Sequence, residues 1–188
     1  MEYYTKDELK NLGFKYLGKN VKISNKLSIY NCDQIEIGDN SRIDDFCVIS
    51  GKIKIGRNVH IAPLCLVAGG EKGIVFEDFS GLAYHVNVFT QSDGYSGKTL
   101  TNPSIPGKYK KEIKKEVVIE KHLIVRAGSN IMQGLILEDD IFTGALLFVR
   151  KSTIEWTIYI ANPAKKIVDK KRIYYNSKKI YLGNEGKL

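Results

Sequence analysis

The chain has 188 residues, 43% of them hydrophobic, with 29 Lys and Arg against 21 Asp and Glu and a formal net charge of +8. Such a length supports a core without disulfide or metal staples, so a single domain over residues 1–188 is expected. No apolar run is long enough to cross a bilayer, and Met1-Glu2-Tyr3-Tyr4 lacks a signal peptide's apolar core, which points to a cytoplasmic protein with no membrane span.

In chain order, Thr5-Lys6-Asp7-Glu8 forms a capping box followed by Leu9 and Leu12 and closed by Gly13. A short cap helix is therefore expected within residues 1–20. From Ile37 the chain falls on a six-residue ruler: Ile37, Ile43, Ile49, Ile55, Ile61, Val67; Phe76, Leu82, Val88; Ile119, Val125, Ile131, Leu137, Thr143, Val149. Thirteen of these fifteen are Ile, Leu or Val, and a second small or apolar residue follows twelve of them by four places, as in Ser41, Cys47, Ile53 and Val59. A period of six matches neither 3.6 nor 7. The intervening Gly38-Asp39-Asn40 and Glu138-Asp139-Asp140 suit sharp corners, where Gly, Asn and Asp tolerate left-handed backbone. The expected fold class is all-β, a parallel β-helix with three hexads per triangular coil, spanning residues 21–158.

Two insertions interrupt the ruler. The first is Gly69-Gly70-Glu71-Lys72-Gly73; the second separates Val88 from Ile119 by 31 residues and leaves a loop at 91–116 with no hexad pattern. A loop so long in a compact repeat protein is a functional expectation. Its Lys108-Tyr109-Lys110-Lys111 and Lys114-Lys115 suit either a phosphorylated acceptor or a solvated surface. Residues 159–188 form a C-terminal cap and basic tail, expected to be helical, in which Lys165 to Lys179 holds seven Lys or Arg against the single Asp169. No aromatic recognition module accompanies this charge, so nucleic acid is not the expected partner. The three cysteines fit no zinc spacing; Cys47 and Cys65, eighteen residues apart, are expected as reduced core residues one coil apart.

The hexads, the single long excursion and the closing Ile160-Ala161-Asn162-Pro163-Ala164-Lys165 resemble the hexapeptide-repeat acyltransferases, the left-handed β-helix superfamily of maltose, galactoside and xenobiotic acetyltransferases. Phe79-Ser80-Gly81-Leu82, Ser92-Asp93-Gly94-Tyr95-Ser96-Gly97, Thr101-Asn102-Pro103 and Lys151-Ser152-Thr153 resemble its surface-polysaccharide and sugar acetyltransferase branch. The resemblance implies a left-handed coil and a homotrimer with active sites between subunits. It also implies acetyl-CoA as co-substrate and no metal. By motif, Gly128, Ser129, Gly144 and Ala145 would present backbone groups to the pantetheine arm, and Lys165 and Lys166 would meet the phosphates. Ala161 stands where the family often has Gly.

Acyl transfer needs a base for the acceptor and a donor for the charge developing on the thioester oxygen. Relatives commonly carry a loop histidine, but here that place falls on Gln91, Ser92 and Asp93. His85, one hexad before the loop, is the leading base; Asp93 is the second candidate, orienting an imidazole or binding an acceptor amine. His60, Ser92 and Tyr95 are the candidates for acceptor binding, and His122 reads as a routine corner. The expected activity is an acetyl-CoA-dependent O- or N-acetyltransferase acting on a sugar, such as a nucleotide-linked amino sugar or another surface-glycan precursor. Two alternatives stay open. One is a trimeric zinc hydratase of the same fold, its metal held by His60, His85 and His122 across an interface. The other is a non-catalytic hexapeptide-repeat binding protein that has lost its base.

Overall fold

In the computed structural model, which describes residues 2–169, the hexads wind into a left-handed parallel β-helix. All fifteen ruler residues are buried, and so are the twelve small or apolar residues four places after them. The ruler splits into three vertical columns. Leu17, Ile37, Ile55, Phe76, Ile119 and Leu137 stack in register on one face. Ile23, Ile43, Ile61, Leu82 and Val125 stack on the second, and Ile29, Ile49, Val67, Val88, Ile131 and Val149 on the third. Each rung thus covers the apolar side chain of the one beneath, burying hydrocarbon that a lone hexad would leave wet. The serines that interrupt this core are satisfied: Ser41 Oγ donates to the Gly56 carbonyl at 2.8 Å and accepts from Val59 N at 3.1 Å.

The solenoid begins earlier than residue 21, at Tyr16–Leu17. Leu17, Ile23 and Ile29 are ruler residues of a first coil that steps by 20 rather than 18, because a tight turn at Cys32–Gln34, entered from Asn31 at φ 58°, takes up two extra residues. The helix Lys6–Asn11 precedes it as expected. Glu8 Oε2 accepts from Thr5 N at 2.7 Å, Thr5 Oγ1 accepts from Glu8 N at 3.3 Å, and Gly13 follows at φ 72°. Leu9 is buried in the shared core, so the helix does cover the open end of the first coil.

The corners divide labour between left-handed residues and capping aspartates. Asn20, Asn40, Asn58, Phe79, His122, Asp140 and Trp156 form one column of left-handed residues, and Phe46, Leu64, His85, Gly128 and Leu146 form another. Asp39, Asp78 and Asp139 instead cap the preceding coil, accepting from Lys19 N, Arg57 N and Lys121 N at 2.7, 3.0 and 2.7 Å. Cys47 and Cys65 are buried thiols that donate to the Ala62 and Ala83 carbonyls at 3.2 and 3.1 Å. The hydrogen bond with Cys47, then burial, push the Cys65 thiol far above its ordinary range.

At the far end, the expected helical tail is corrected for the residues described. Lys165–Asp169 is a strand that pairs antiparallel with Thr157–Ile160. The β-branched Ile167 and Val168 favour extended backbone, and the pairing covers an edge that the last coil would otherwise leave open. The remainder of the basic tail, 170–188, lies outside the described residues. Among the described residues no helix is long and apolar enough to cross a membrane.

Candidate active site

The long excursion leaves the stack after Val88 and returns before Ile119 on two antiparallel strands, Gln91–Asp93 and Glu112–Lys114, with Asp93 opposite Glu112. Strand alternation sends Gln91 and Asp93 to one side and Ser92 to the other. On the first side Asp93 lines a small cleft of about 180 Å³ with Gln91, Pro103, Lys110 and Glu112, which Ser92 also borders. Its Oδ2 accepts from Asn102 N at 2.8 Å, while Oδ1 lies 3.9 Å from Lys110 Nζ. Lys110, only 7% exposed, is held closer by Glu112, at 2.8 Å. Lys114 then bridges Glu112 and Glu71, both at 3.3 Å, which joins the first insertion to the second. Lys110 and, next, Lys114 hold the Glu112 carboxyl below its usual range; Glu71 and Glu112 raise the Lys114 ammonium. Lys110 and Lys114 are therefore committed inside the loop, and its unpaired charge is smaller than the sequence suggests.

On the other side, Gln133 Nε2 donates to Ser92 Oγ at 2.7 Å, and the Gln133 Oε1 oxygen is buried with no partner. Ser92 is thereby pinned, but to the body of the solenoid. Tyr95, 81% exposed, projects from the excursion into solvent. Gln133 carried no signal in the sequence, since a corner glutamine 41 residues from its partner resembles any solvated polar residue.

The three histidines lie apart within one chain. His85 occupies a left-handed corner, φ 57°, with its imidazole exposed and without a hydrogen-bond partner among the described residues. His60 sits on a flat face, Nε2 2.7 Å from Asp44 Oδ2. His122 stacks on Phe79 with ring centroids 5.0 Å apart. Among the described residues no group of three His, Cys, Asp or Glu is placed to hold a metal ion.

At the C-terminal end Lys165 and Lys166 line a cleft of about 330 Å³ with Arg150, Lys151, Ser152, Thr153, Tyr159 and Pro163. Asp169 pairs with Lys166 at 2.7 Å, while Arg150, Lys151 and Lys165 keep the cleft cationic and suited to phosphate groups. Arg150 is the addition that sequence reading missed. Tyr159 packs the last coil, its hydroxyl accepting from Ile154 N at 2.8 Å, and Ala161 holds φ 73°, a conformation that favours glycine. Of the four pantetheine candidates, Gly128 N and Gly144 N donate to the Tyr84 and Tyr159 carbonyls at 2.9 and 2.8 Å, and Ser129 is fully buried. Ala145 is exposed.

Comparison with known proteins bears on the family. The family model described as bacterial transferase hexapeptide (six repeats) matches residues 34–69. A dTDP-4-amino-4,6-dideoxy-D-glucose acyltransferase from Escherichia coli is 37% identical over 175 residues, 92% of this chain and 91% of its own. The crystal structure of AntD, an N-acyltransferase from Bacillus cereus in complex with dTDP and 3-hydroxybutyryl-CoA, matches with a TM-score of 0.95 at 39% identity, covering 99% of this chain and 100% of that one. A variant of AntD in complex with dTDP-4-amino-4,6-dideoxyglucose and coenzyme A matches at 0.94 and 40% identity, covering 97% and 98%. A maltose O-acetyltransferase from Clostridium difficile 630, 19% identical with a TM-score of 0.58 over 89% of this chain and 75% of that one, shares the fold. Repeat, excursion and near-complete coverage by these relatives place the chain in the hexapeptide-repeat acyltransferases.

Proposed function

We propose that the chain transfers an acyl group, acetyl or a longer one, from its CoA thioester to the amino group of a dTDP-linked 4-amino-4,6-dideoxyglucose, an N-acylation that supplies a cytoplasmic precursor of a surface glycan. The observation that carries this reading is the likeness, at 37–40% identity over more than nine tenths of each chain, to enzymes whose names or bound ligands are this nucleotide sugar and CoA. In a homotrimer, the flat faces of adjacent solenoids would meet at an angle and supply the walls that a thin prism lacks.

In the reaction the amine lone pair attacks the thioester carbon and forms the C–N bond; the C–S bond then breaks and coenzyme A leaves as its thiolate. The proton shed by nitrogen goes to His85, whose exposed imidazole has no competing partner among the described residues. Asp93 contributes Oδ1, the oxygen not taken by Asn102, as acceptor for the incoming amine. The cationic C-terminal cleft holds the phosphates of CoA, with Lys165 and Lys166 on one wall.

Free-thiol release from acetyl-CoA, followed with dTDP-amino sugars and with simple glycosides, tests the reading in the parent, His85→Ala and Asp93→Ala. Turnover is expected with the amino sugar alone, falling about 10²–10⁴-fold without the base. Turnover with glycosides and silence toward every amine would overturn N-acylation. A rate untouched by His85→Ala would remove that residue from the reaction.

A further inference from the structure

Lys22, Arg42 and His60 are direct neighbours on three successive rungs of one face. All three point outward, because Ile23, Ile43 and Ile61 beside them are buried. At about 4.8 Å per rung they make a basic strip roughly 10 Å long. Alongside run the left-handed corner residues Asn20, Asn40 and Asn58, with Asn20 Nδ2 donating to Asn40 Oδ1 at 3.2 Å. Strip and corner together line an open cleft of about 510 Å³.

Beneath the strip sits Asp44, its side chain 2% exposed. Arg42 Nε lies 3.1 Å from Oδ1 and His60 Nε2 lies 2.7 Å from Oδ2. The Tyr3 hydroxyl also bonds this carboxylate, and burial followed by the Asp44 charge raises the Tyr3 pKa. His60 Nε2 stands 2.7 Å from Asp44 Oδ2 and 2.8 Å from Arg42 Nη2, and one ring nitrogen cannot both donate to the carboxylate and accept from the guanidinium. One of the two contacts is thus left over, and Asp44 Oδ1, 3.1 Å from Arg42 Nε, is buried without a hydrogen-bond partner among the described residues, so the guanidinium keeps donors to spare. That is an arrangement awaiting an anionic oxygen.

We infer that the Lys22–Arg42–His60 strip is the seat of a nucleoside diphosphate, that of the acceptor substrate. This rests on the N-acyltransferase reading. Two cations and an imidazole at rung spacing suit two adjacent phosphates, and the Asn40 amide, which both donates and accepts, suits a sugar or base edge. The second basic cleft, at Arg150, Lys151, Lys165 and Lys166, lies three to four rungs along the axis, roughly 15–20 Å away. The excursion bearing Asp93 leaves the stack between the two levels. Two nucleotide-bearing substrates that react at their far ends require this spacing: one anion cradle on either side of the reacting groups.

Calorimetric titration of dTDP and, separately, of CoA into the full-length protein tests the assignment, with Lys22→Ala and Arg42→Gln compared at matched far-UV circular dichroism. Each variant is expected to weaken dTDP about tenfold or more and to leave CoA unchanged. Unchanged dTDP affinity in Lys22→Ala, an exposed position where folding is not at stake, would overturn the strip, and so would a loss of CoA affinity with dTDP intact. Acylation of the dTDP-amino sugar by the parent is measured in parallel. If it proceeds while the variants bind dTDP normally, the strip alone falls; if the parent neither binds nor acylates the nucleotide sugar, strip and acceptor both fall.

Discussion

Gln133 Nε2 and Ser92 Oγ, 2.7 Å apart, tie the excursion to the rung that follows it. The bond orients the strand that carries Asp93, yet the partnerless Oε1 makes the glutamine an indifferent contributor to stability. Gln133→Leu should therefore melt within a few degrees of the parent while kcat/KM for acyl transfer falls about tenfold, since misplacement of a positioned group by a fraction of an ångström is costly. Paired thermal melts and steady-state kinetics check this. Full activity in the variant would show that the loop is held by other means.

Lys110 is enclosed by Glu112 and Asp93. Lys110→Met leaves Asp93 without its cation and Glu112 with Lys114 alone, so the excursion should loosen locally while the solenoid persists. Limited proteolysis should then cut within 91–116 several-fold faster than in the parent, with little change in the global melt.

Glu120 is pushed above the ordinary glutamate range by burial first, and then by Asp139, Glu77 and Glu138. A carboxyl with a raised folded-state pKa penalises the native state once it ionises. The penalty is absent below the unfolded value of about 4.3 and grows as pH rises through the folded value. Glu120→Gln should accordingly melt above the parent at pH 7 and level with it near pH 4. A gain that persisted at the acid end would assign the effect to packing instead.

Two glycines with left-handed backbone separate dihedral cost from steric cost. Gly13, φ 72°, has open space where a Cβ would stand, whereas at Gly51, φ 81°, the Cβ would meet Gly70 N at 2.4 Å. Gly13→Ala should cost about 1 kcal/mol. Gly51→Ala should cost that plus a further ~1–3 kcal/mol for the backbone shift it forces. Chemical denaturation of the two variants resolves the difference.

If the C-terminal cleft holds CoA phosphates, Arg150→Ala and Lys165→Ala should raise KM for acyl-CoA several-fold with kcat nearly unchanged. The gap should narrow as ionic strength rises toward 1 M, where the screening length is about 3 Å. A KM insensitive to both substitutions and to salt would place the phosphates elsewhere.

Most of the solenoid was legible in the sequence because burial in a stacked coil demands an aliphatic residue at a fixed interval, from Ile37 through Val149. The first coil escaped because two extra residues near Cys32 shift the ruler out of phase, although Leu17, Ile23 and Ile29 keep the spacing among themselves. The second insertion was visible as a gap, but its internal ladder was not, since Asp93 finds Glu112 and Lys110 only after the chain has doubled back. Nothing in the sequence sets Asp44 apart from other acids beside a ruler residue. Its burial beneath Arg42 and His60 arises from stacking of neighbouring coils, information that a one-dimensional pattern does not hold.

The in-register columns also set how the molecule comes apart. Each rung touches only the rungs above and below, so amide protons near Ile53 and Phe76, sealed on both sides, should exchange with deuterium last. Among the described residues the strand Lys165–Asp169 is the final layer, and fraying from it should advance inward one turn at a time. The cleft bounded by that strand is therefore the softest part of the described solenoid, and a phosphate-bearing ligand seated there would act as its end clamp.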